Sequence, residues 1–235
     1  MTRTVGIIGG IAPESTVAYY RQIIERYREA TGGGNPSIII NSIDLTKMLG
    51  FVSSKNFPQL INYLSAEINR LADAGADFGV FASNTPHIVF NEVASRSRMP
   101  LISIVESASR AAEQLGVKKA GLLGTRFTMQ GRFYPEAFAA RGIEVVPPEG
   151  SDLDYVHDKY MTELVNARFL DETRAELLRV IERMRDRQHI DAVILGGTEL
   201  PLILGREMFA TEQILDTTAI HVQAIVERLT RTDKV

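Results

Sequence analysis

Four short polar segments carry the residues best equipped to do chemistry. They are Gly9-Gly10-Ile11-Ala12-Pro13-Glu14-Ser15-Thr16, Ser83-Asn84-Thr85-Pro86-His87, Gly124-Thr125-Arg126-Phe127-Thr128 and Gly196-Gly197-Thr198-Glu199. Each follows a short apolar run of the kind expected for a buried strand. In an open parallel sheet, ligands bind beyond the carboxyl ends of the strands. Small residues there let backbone N–H groups approach a ligand, and helix N-termini behind the loops favour an anion. The hydroxyls of Thr85, Thr125, Thr128 and Thr198 and the amide of Asn84 supply directional hydrogen bonds without added charge. Together these segments describe a carboxylate cradle to which both halves of the chain contribute.

Several other chemistries are excluded. Gly9-Gly10 lacks the third glycine and the later ribose-binding acid of a dinucleotide fingerprint, and no Gly-Lys-Ser/Thr follows as in a phosphate loop. No metal-ligand spacing such as His-Glu-x-x-His occurs, and the chain has no cysteine for a thiolate site or a disulfide. Plainer roles stand beside the chemical ones. Gly9-Gly10 also suits a tight strand-to-helix turn, Asn84 and Thr85 a helix cap, and His87 a helix surface. Arg126 could simply pair with a neighbouring acid. His157, His189 and His221 are dispersed and read as structural or surface residues.

The elements that must position these loops alternate between β-rich runs and helical patterns, the signature of βαβ units and a parallel sheet. Strands are expected at Val5–Ile8, Ser37–Ser42, Phe78–Ala82, Leu101–Ile104, Lys119–Gly124, Ile143–Val146 and Ala192–Leu195. Helices are expected from about Ser15, an N-cap candidate, and from Leu60 to Ala74. A further helix, capped by Asp171, carries Leu177, Leu178, Ile181 and Met184 on one face. The last helix covers Thr218 to Leu229.

The pattern restarts midway. Gly9 and Gly124 end matching strands 115 residues apart, and Ser83-Asn84-Thr85 and Gly197-Thr198-Glu199 follow matching strands 114 residues apart. Two matches at nearly one offset indicate a duplicated lobe. The expectation is an α/β protein of two pseudo-symmetric lobes, each a parallel sheet flanked by helices, with the active site in the cleft between them. Residues 1–103 form the first lobe, 104–209 the second, and a C-terminal helical segment, 210–235, returns to the first.

These residues carry a family resemblance over nearly the whole chain. Gly9-Gly10-x-x-Pro13-x-x-Thr16, Ser83-Asn84-Thr85-x-His87, Leu123-Gly124-Thr125-Arg126-x-Thr128-Met129, Gly196-Gly197-Thr198-Glu199 and Asp216-Thr217-x-x-Ile220-His221 occur in order. The chain thereby resembles the aspartate/glutamate racemase family. The resemblance implies two lobes related by a pseudo-twofold axis, no cofactor, a homodimer, and racemisation of an amino acid by α-proton abstraction.

Racemisation removes a weakly acidic α-proton from one face and returns one to the other. The family resembled does this with two thiols, in Cys-Asn-Thr and Gly-Cys-Thr-Glu motifs. A thiol suits the task because its pKa of about 8.5 can be tuned toward neutrality. Here Ser83 occupies the first slot and Gly197 the second. An unassisted serine is a poor base unless a neighbouring group activates it, and glycine offers no proton-transfer group at all. The two-thiol mechanism therefore cannot operate in this chain.

Three readings stay open. One is a racemase of altered mechanism, with Ser83 on one face and Glu199 or a held water on the other. Another is different carbanion chemistry on the same cradle, such as decarboxylation, elimination or cis-trans isomerisation. The last is a non-catalytic amino-acid binder. Asn84, Thr85, Thr125, Thr128 and Thr198, with the backbone at Gly10, are the candidates for holding the α-carboxylate and ammonium groups. For a distal carboxylate the resemblance points to basic residues at the cleft rim. Asn166 occupies one such position, leaving Lys47, and beyond it Arg168, to supply the charge. Arg126 could hold a carboxylate bidentately.

Composition sets the remaining bounds. Hydrophobic residues make up 45% and charged residues 23%, ordinary globular usage, and the net charge of −3 offers no basic face for nucleic acid or membrane. No apolar run approaches the roughly 20 residues of a membrane span. The expected partner is a small amino acid or dicarboxylic acid, and the expected location the cytoplasm.

Overall fold

The apolar runs that precede the polar loops form the inner strands of two sheets in the computed structural model, which describes residues 3–205 and 213–231. The chain divides into two compact units. One takes the residues up to Ile104 together with those from His221 onward, and the other takes Val105–Ile220.

In the first unit, β1 (Thr4–Gly9), β2 (Ser37–Ser42), β3 (Phe78–Phe81) and β4 (Leu101–Ile102) form a parallel sheet in the order β2-β1-β3-β4. In the second, β5 (Lys119–Gly124), β6 (Glu144–Val146), β7 (Ala192–Gly196) and β8 (Gln213–Asp216) form another in the order β6-β5-β7-β8. The order is the same in both units: second, first, third, fourth. The internal repeat read from the loops is thus a repeat of topology. In such an order the crossovers leave the first and third strands in opposite directions. In open sheets of this order, ligands bind at the carboxyl ends of those two strands. They are the strands that lead into the four polar loops.

Helices pack on each sheet. The first unit holds α1 (Pro13–Thr31), α2 (Leu45–Ser53), α3 (Phe57–Asp73), and α4 (Phe90–Arg96) after a 3-10 turn at Thr85–Val89; α5 (Ile104–Gln114) leads out of it. The second unit holds α6 (Arg126–Met129), α7 (Phe133–Ala139), α8 (Ser151–Thr162), α9 (Asp171–Gln188) and α10 (Leu200–Ile203), and α11 (Thr217–Thr230) ends the described chain. Val5 and Ile7 of β1 pack with Tyr19 and Ile23 of α1 and with Val222, Ile225, Val226 and Leu229 of α11. Leu177, Val180, Ile181 and Met184 of α9 pack on Val193 and Leu195 of β7. Leu177, Ile181 and Met184 are positions whose helical spacing is legible in the sequence.

Some boundaries differ from the sequence reading. Helix α1 starts at Pro13, because proline at the first helical position fixes a helical φ and loses no needed donor; Ser15 lies inside the helix, fully buried. Asp171 is not a cap: Leu170 holds that position, and the Asp171 carboxylate accepts from Arg174 within the first turn. Strand β4 stops at Ile102 because α5 begins at Ile104. Residues 213–216, expected within the last helix, form β8 instead, paired to Ala192–Leu195. The Asp216 carboxylate then accepts from the Ala219 N–H and starts α11. Residues 210–212 and 232–235 of the expected helix lie outside the described residues. No helix among the described residues is long and apolar enough to cross a membrane.

Candidate active site

In the first unit, β1 delivers Gly9-Gly10 and β3 delivers Ser83-Asn84-Thr85. Gly10 adopts φ +83°, and a Cβ there would lie 2.7 Å from Ser42 Oγ and collide with the Ile43 backbone. Only glycine fits. Its N–H donates to Thr16 Oγ1 at 2.8 Å, so the first turn of α1 holds the loop in shape. That role explains Thr16, which sequence reasoning placed in the motif without a task. Ser83, Asn84 and Thr85 are all buried. Among the described hydrogen bonds, none joins the Ser83 hydroxyl to a His, Lys or carboxylate.

His87, expected on a helix surface, is buried instead. Its Nε2 accepts the Ile104 N–H at 3.2 Å, and its ring stacks on Phe90 with centroids 4.8 Å apart. Burial, then the charge of His221, pushes its pKa down to about 3, so it is neutral. The accepting nitrogen is occupied by the Ile104 N–H, which joins the Ser83 loop to the start of α5, and the buried Nδ1 has no hydrogen-bond partner among the described residues. His221 is likewise structural: Ile102 O and Tyr19 Oη bind its two nitrogens at 3.0 and 2.9 Å. Burial lowers its pKa to about 4.

In the second unit, Thr125 caps α6: its Oγ1 accepts the Thr128 N–H at 3.3 Å and lies 3.2 Å from Thr128 Oγ1. Thr128 has no exposed surface. The Arg126 N–H donates to His157 Nδ1 at 3.1 Å, and its half-exposed guanidinium pairs with Asp154 at 2.8 Å. Asn166 and Arg168 are exposed, and Asn166 donates to Thr162 O at 3.2 Å. Lys47, in the first unit, is also exposed. It lies on α2 just beyond the end of β2, with Nζ 4.5 Å from the centre of the Tyr63 ring.

The Gly196-Gly197-Thr198-Glu199 loop is the most tightly built. Thr198 and Glu199 are buried, and Thr198 Oγ1 donates to Glu199 Oε2 at 3.2 Å. The same carboxylate oxygen accepts from Tyr160 Oη, near the end of α8. A Cβ on residue 197 would fall 2.6 Å from Tyr160 Oη and 2.7 Å from its Cζ, closer than real contacts allow. The ring of Tyr160 therefore fills the space a side chain at position 197 would need. Burial, then the charge of Glu199, pushes the Tyr160 pKa well above 10, so the phenol is a neutral hydrogen-bond donor. Sequence reasoning missed Tyr160. It lies 37 residues before Gly197 on an ordinary amphipathic helix, and the only hint was the empty slot at Gly197.

Comparison with known proteins agrees with this architecture. The model of the Asp/Glu/Hydantoin racemase family matches residues 8–225, and the chain belongs to that family. An aspartate racemase homologue from Pyrococcus horikoshii OT3 has a similar structure (TM-score 0.84, 32% identity, covering 98% of this chain and 100% of that one). The aspartate racemase of Picrophilus torridus shares the fold (TM-score 0.78, 23% identity, covering 99% and 96%). The broad specificity amino-acid racemase RacX of Bacillus subtilis (strain 168) is 23% identical over 208 residues, 85% of this chain and 87% of that protein.

Proposed function

We propose that the protein is a cofactor-independent amino-acid racemase of altered mechanism, acting on aspartate or glutamate by α-proton abstraction. The observation that carries this reading is the pair of buried loops, Ser83-Asn84-Thr85 and Gly197-Thr198-Glu199, at equivalent strand ends of a duplicated fold. Racemisation needs proton transfer on two faces of one carbon, and in this reading the two loops serve one substrate. Ser83 acts on one face. Glu199, a buried carboxylate held by two hydroxyls, is the proton acceptor of the other. Asn84, Thr85, Thr125 and Thr198, with the backbone at Gly10, hold the α-carboxylate and ammonium. Thr128, having no exposed surface, holds Thr125 in place.

Lys47 is the candidate for the distal carboxylate, with Arg126 as the alternative once it releases Asp154. A positioned base contributes about 10²–10⁴-fold, and a serine hydroxyl is a weaker base than a thiolate, so turnover in this reading is slow. The homodimer and the cytoplasmic location that the resemblance implies belong to the same reading, and sedimentation at working concentration checks the first of them. Incubation with L- or D-aspartate and L- or D-glutamate, followed by chiral chromatography, tests the activity. Formation of the opposite enantiomer supports the reading. Ligand-dependent thermal stabilisation without inversion would make the protein a binder.

A further inference from the structure

Each unit carries a hydroxyl beside the residue that follows its third strand, but by different routes. In the first unit it is the side chain of Ser83 itself, just after β3. In the second, the equivalent residue just after β7 is Gly197, and the hydroxyl arrives from α8: Tyr160 Oη lies 2.6 Å from where the Cβ of residue 197 would sit. Glycine and tyrosine form a matched pair, since either a side chain at 197 or the Tyr160 ring can occupy that volume, not both. A buried tyrosine hydroxyl needs a hydrogen-bond partner, and here the partner is a carboxylate, a group that can also take its proton. Burying Glu199 is unfavourable unless its oxygens are hydrogen-bonded, and the protein spends Tyr160 and Thr198 on it.

We propose that Tyr160 is the proton-transferring group on the Gly197 side, with Glu199 as the proton acceptor behind it. As the α-C–H bond breaks, its proton bonds to Tyr160 Oη, the Oη–H proton passes to Glu199 Oε2, and the electron pair stays on the α-carbon, delocalised into the carboxylate. Running the relay backwards returns a proton to that face. The phenol is neutral before and after, so no tyrosinate accumulates beside the carboxylate. The only net change is one proton moved from carbon to Glu199. The inference rests on the α-proton chemistry proposed above.

The test is α-proton exchange in D₂O, followed by proton NMR on L- and D-aspartate and glutamate, for wild type, Tyr160→Phe and Glu199→Gln. Tyr160→Phe keeps the ring and removes only the hydroxyl. The relay requires exchange from one enantiomer to fall by about 10²-fold or more, with KM little changed and the other enantiomer less affected. Glu199→Gln must give the same enantiomer-selective loss. If Tyr160→Phe does not fold, fluorotyrosine at position 160, which makes the phenol more acidic at nearly the same size, must shift the pH profile of exchange from that enantiomer; an unshifted profile overturns the relay. Unchanged exchange in a folded Tyr160→Phe overturns the relay and leaves the racemase reading standing. An equal loss for both enantiomers with a raised KM makes Tyr160 structural and also overturns it. No exchange by wild type with any of the four overturns both.

Discussion

The ring of Tyr160 stands where a side chain on residue 197 would have to go, and its hydroxyl is bonded to the Glu199 carboxylate. Glycine at 197 is therefore a packing requirement as well as a missing thiol. Gly197→Ala should destabilise the protein by about 1–3 kcal/mol through overpacking, read from urea unfolding. Tyr160→Ala should relieve that penalty, so the two changes combine non-additively. Additive effects would mean that the ring and residue 197 do not compete for space.

The same relationship constrains any attempt to restore a two-thiol site. Ser83→Cys with Gly197→Cys should fail to give fast racemisation while Tyr160 is intact, because the second thiol has no room. Adding Tyr160→Ala should raise racemisation above that of the double variant. A fully active double variant would show that the ring swings away at little cost.

Ser83 offers a simpler comparison. Ser83→Ala should lower enantiomer inversion by about 10²-fold or more, and Ser83→Cys should raise it above wild type, since a thiolate forms far more readily than an alkoxide. Turnover unaffected by Ser83→Ala would remove that residue from the mechanism.

Substrate choice can be read from two cations. Lys47→Ala should raise KM for aspartate and glutamate but not for alanine, which lacks a distal carboxylate. Arg126→Ala should change stability by no more than about 1 kcal/mol, as its ion pair with Asp154 is solvent-accessible. A KM for alanine that rises as much as that for aspartate would place Lys47 outside distal recognition.

Two buried histidines predict the pH dependence of stability. Burial is the leading cause that lowers His87 to about 3 and His221 to about 4, against about 6.5 in an unfolded chain. With folded pKa values depressed, the unfolded state takes up protons first as pH falls. Stability is therefore full above about pH 6.5 and declines below it, by about 2 kcal/mol per histidine at pH 5. His157, lowered by burial and then by Arg126, acts in the same direction. Glu176, held low by Arg179 and Arg183, enters only below about pH 4.5. Urea unfolding at pH 7.5 and 5.0 should show the decline, and a flat profile would contradict the neutral, buried assignment.

Much of the fold was legible because its signals are local. Apolar runs marked the inner strands, three of which end in glycine, and the spacing of Leu177, Ile181 and Met184 marked the buried face of α9. Matching loops at nearly one offset exposed the duplication, which the identical strand orders express as topology. Strand β8 was harder, because Gln213–Asp216 is short and directly abuts a helix, so its pairing with β7 decides its conformation. His87 looked exposed beside polar residues, yet tertiary packing buries it. Tyr160 was invisible for a related reason: its contact with Gly197 is long-range, and nothing in the helix around it differs from a packing position.

In the reading proposed here, this chain breaks the α-C–H bond of an acidic amino acid without a thiol. Proton NMR of wild-type protein in D₂O with L- and D-aspartate and L- and D-glutamate tests it most directly. We expect loss of the α-proton signal for at least one of the four, with the opposite enantiomer appearing alongside. A folded protein that binds these amino acids and leaves every α-proton in place would contradict it.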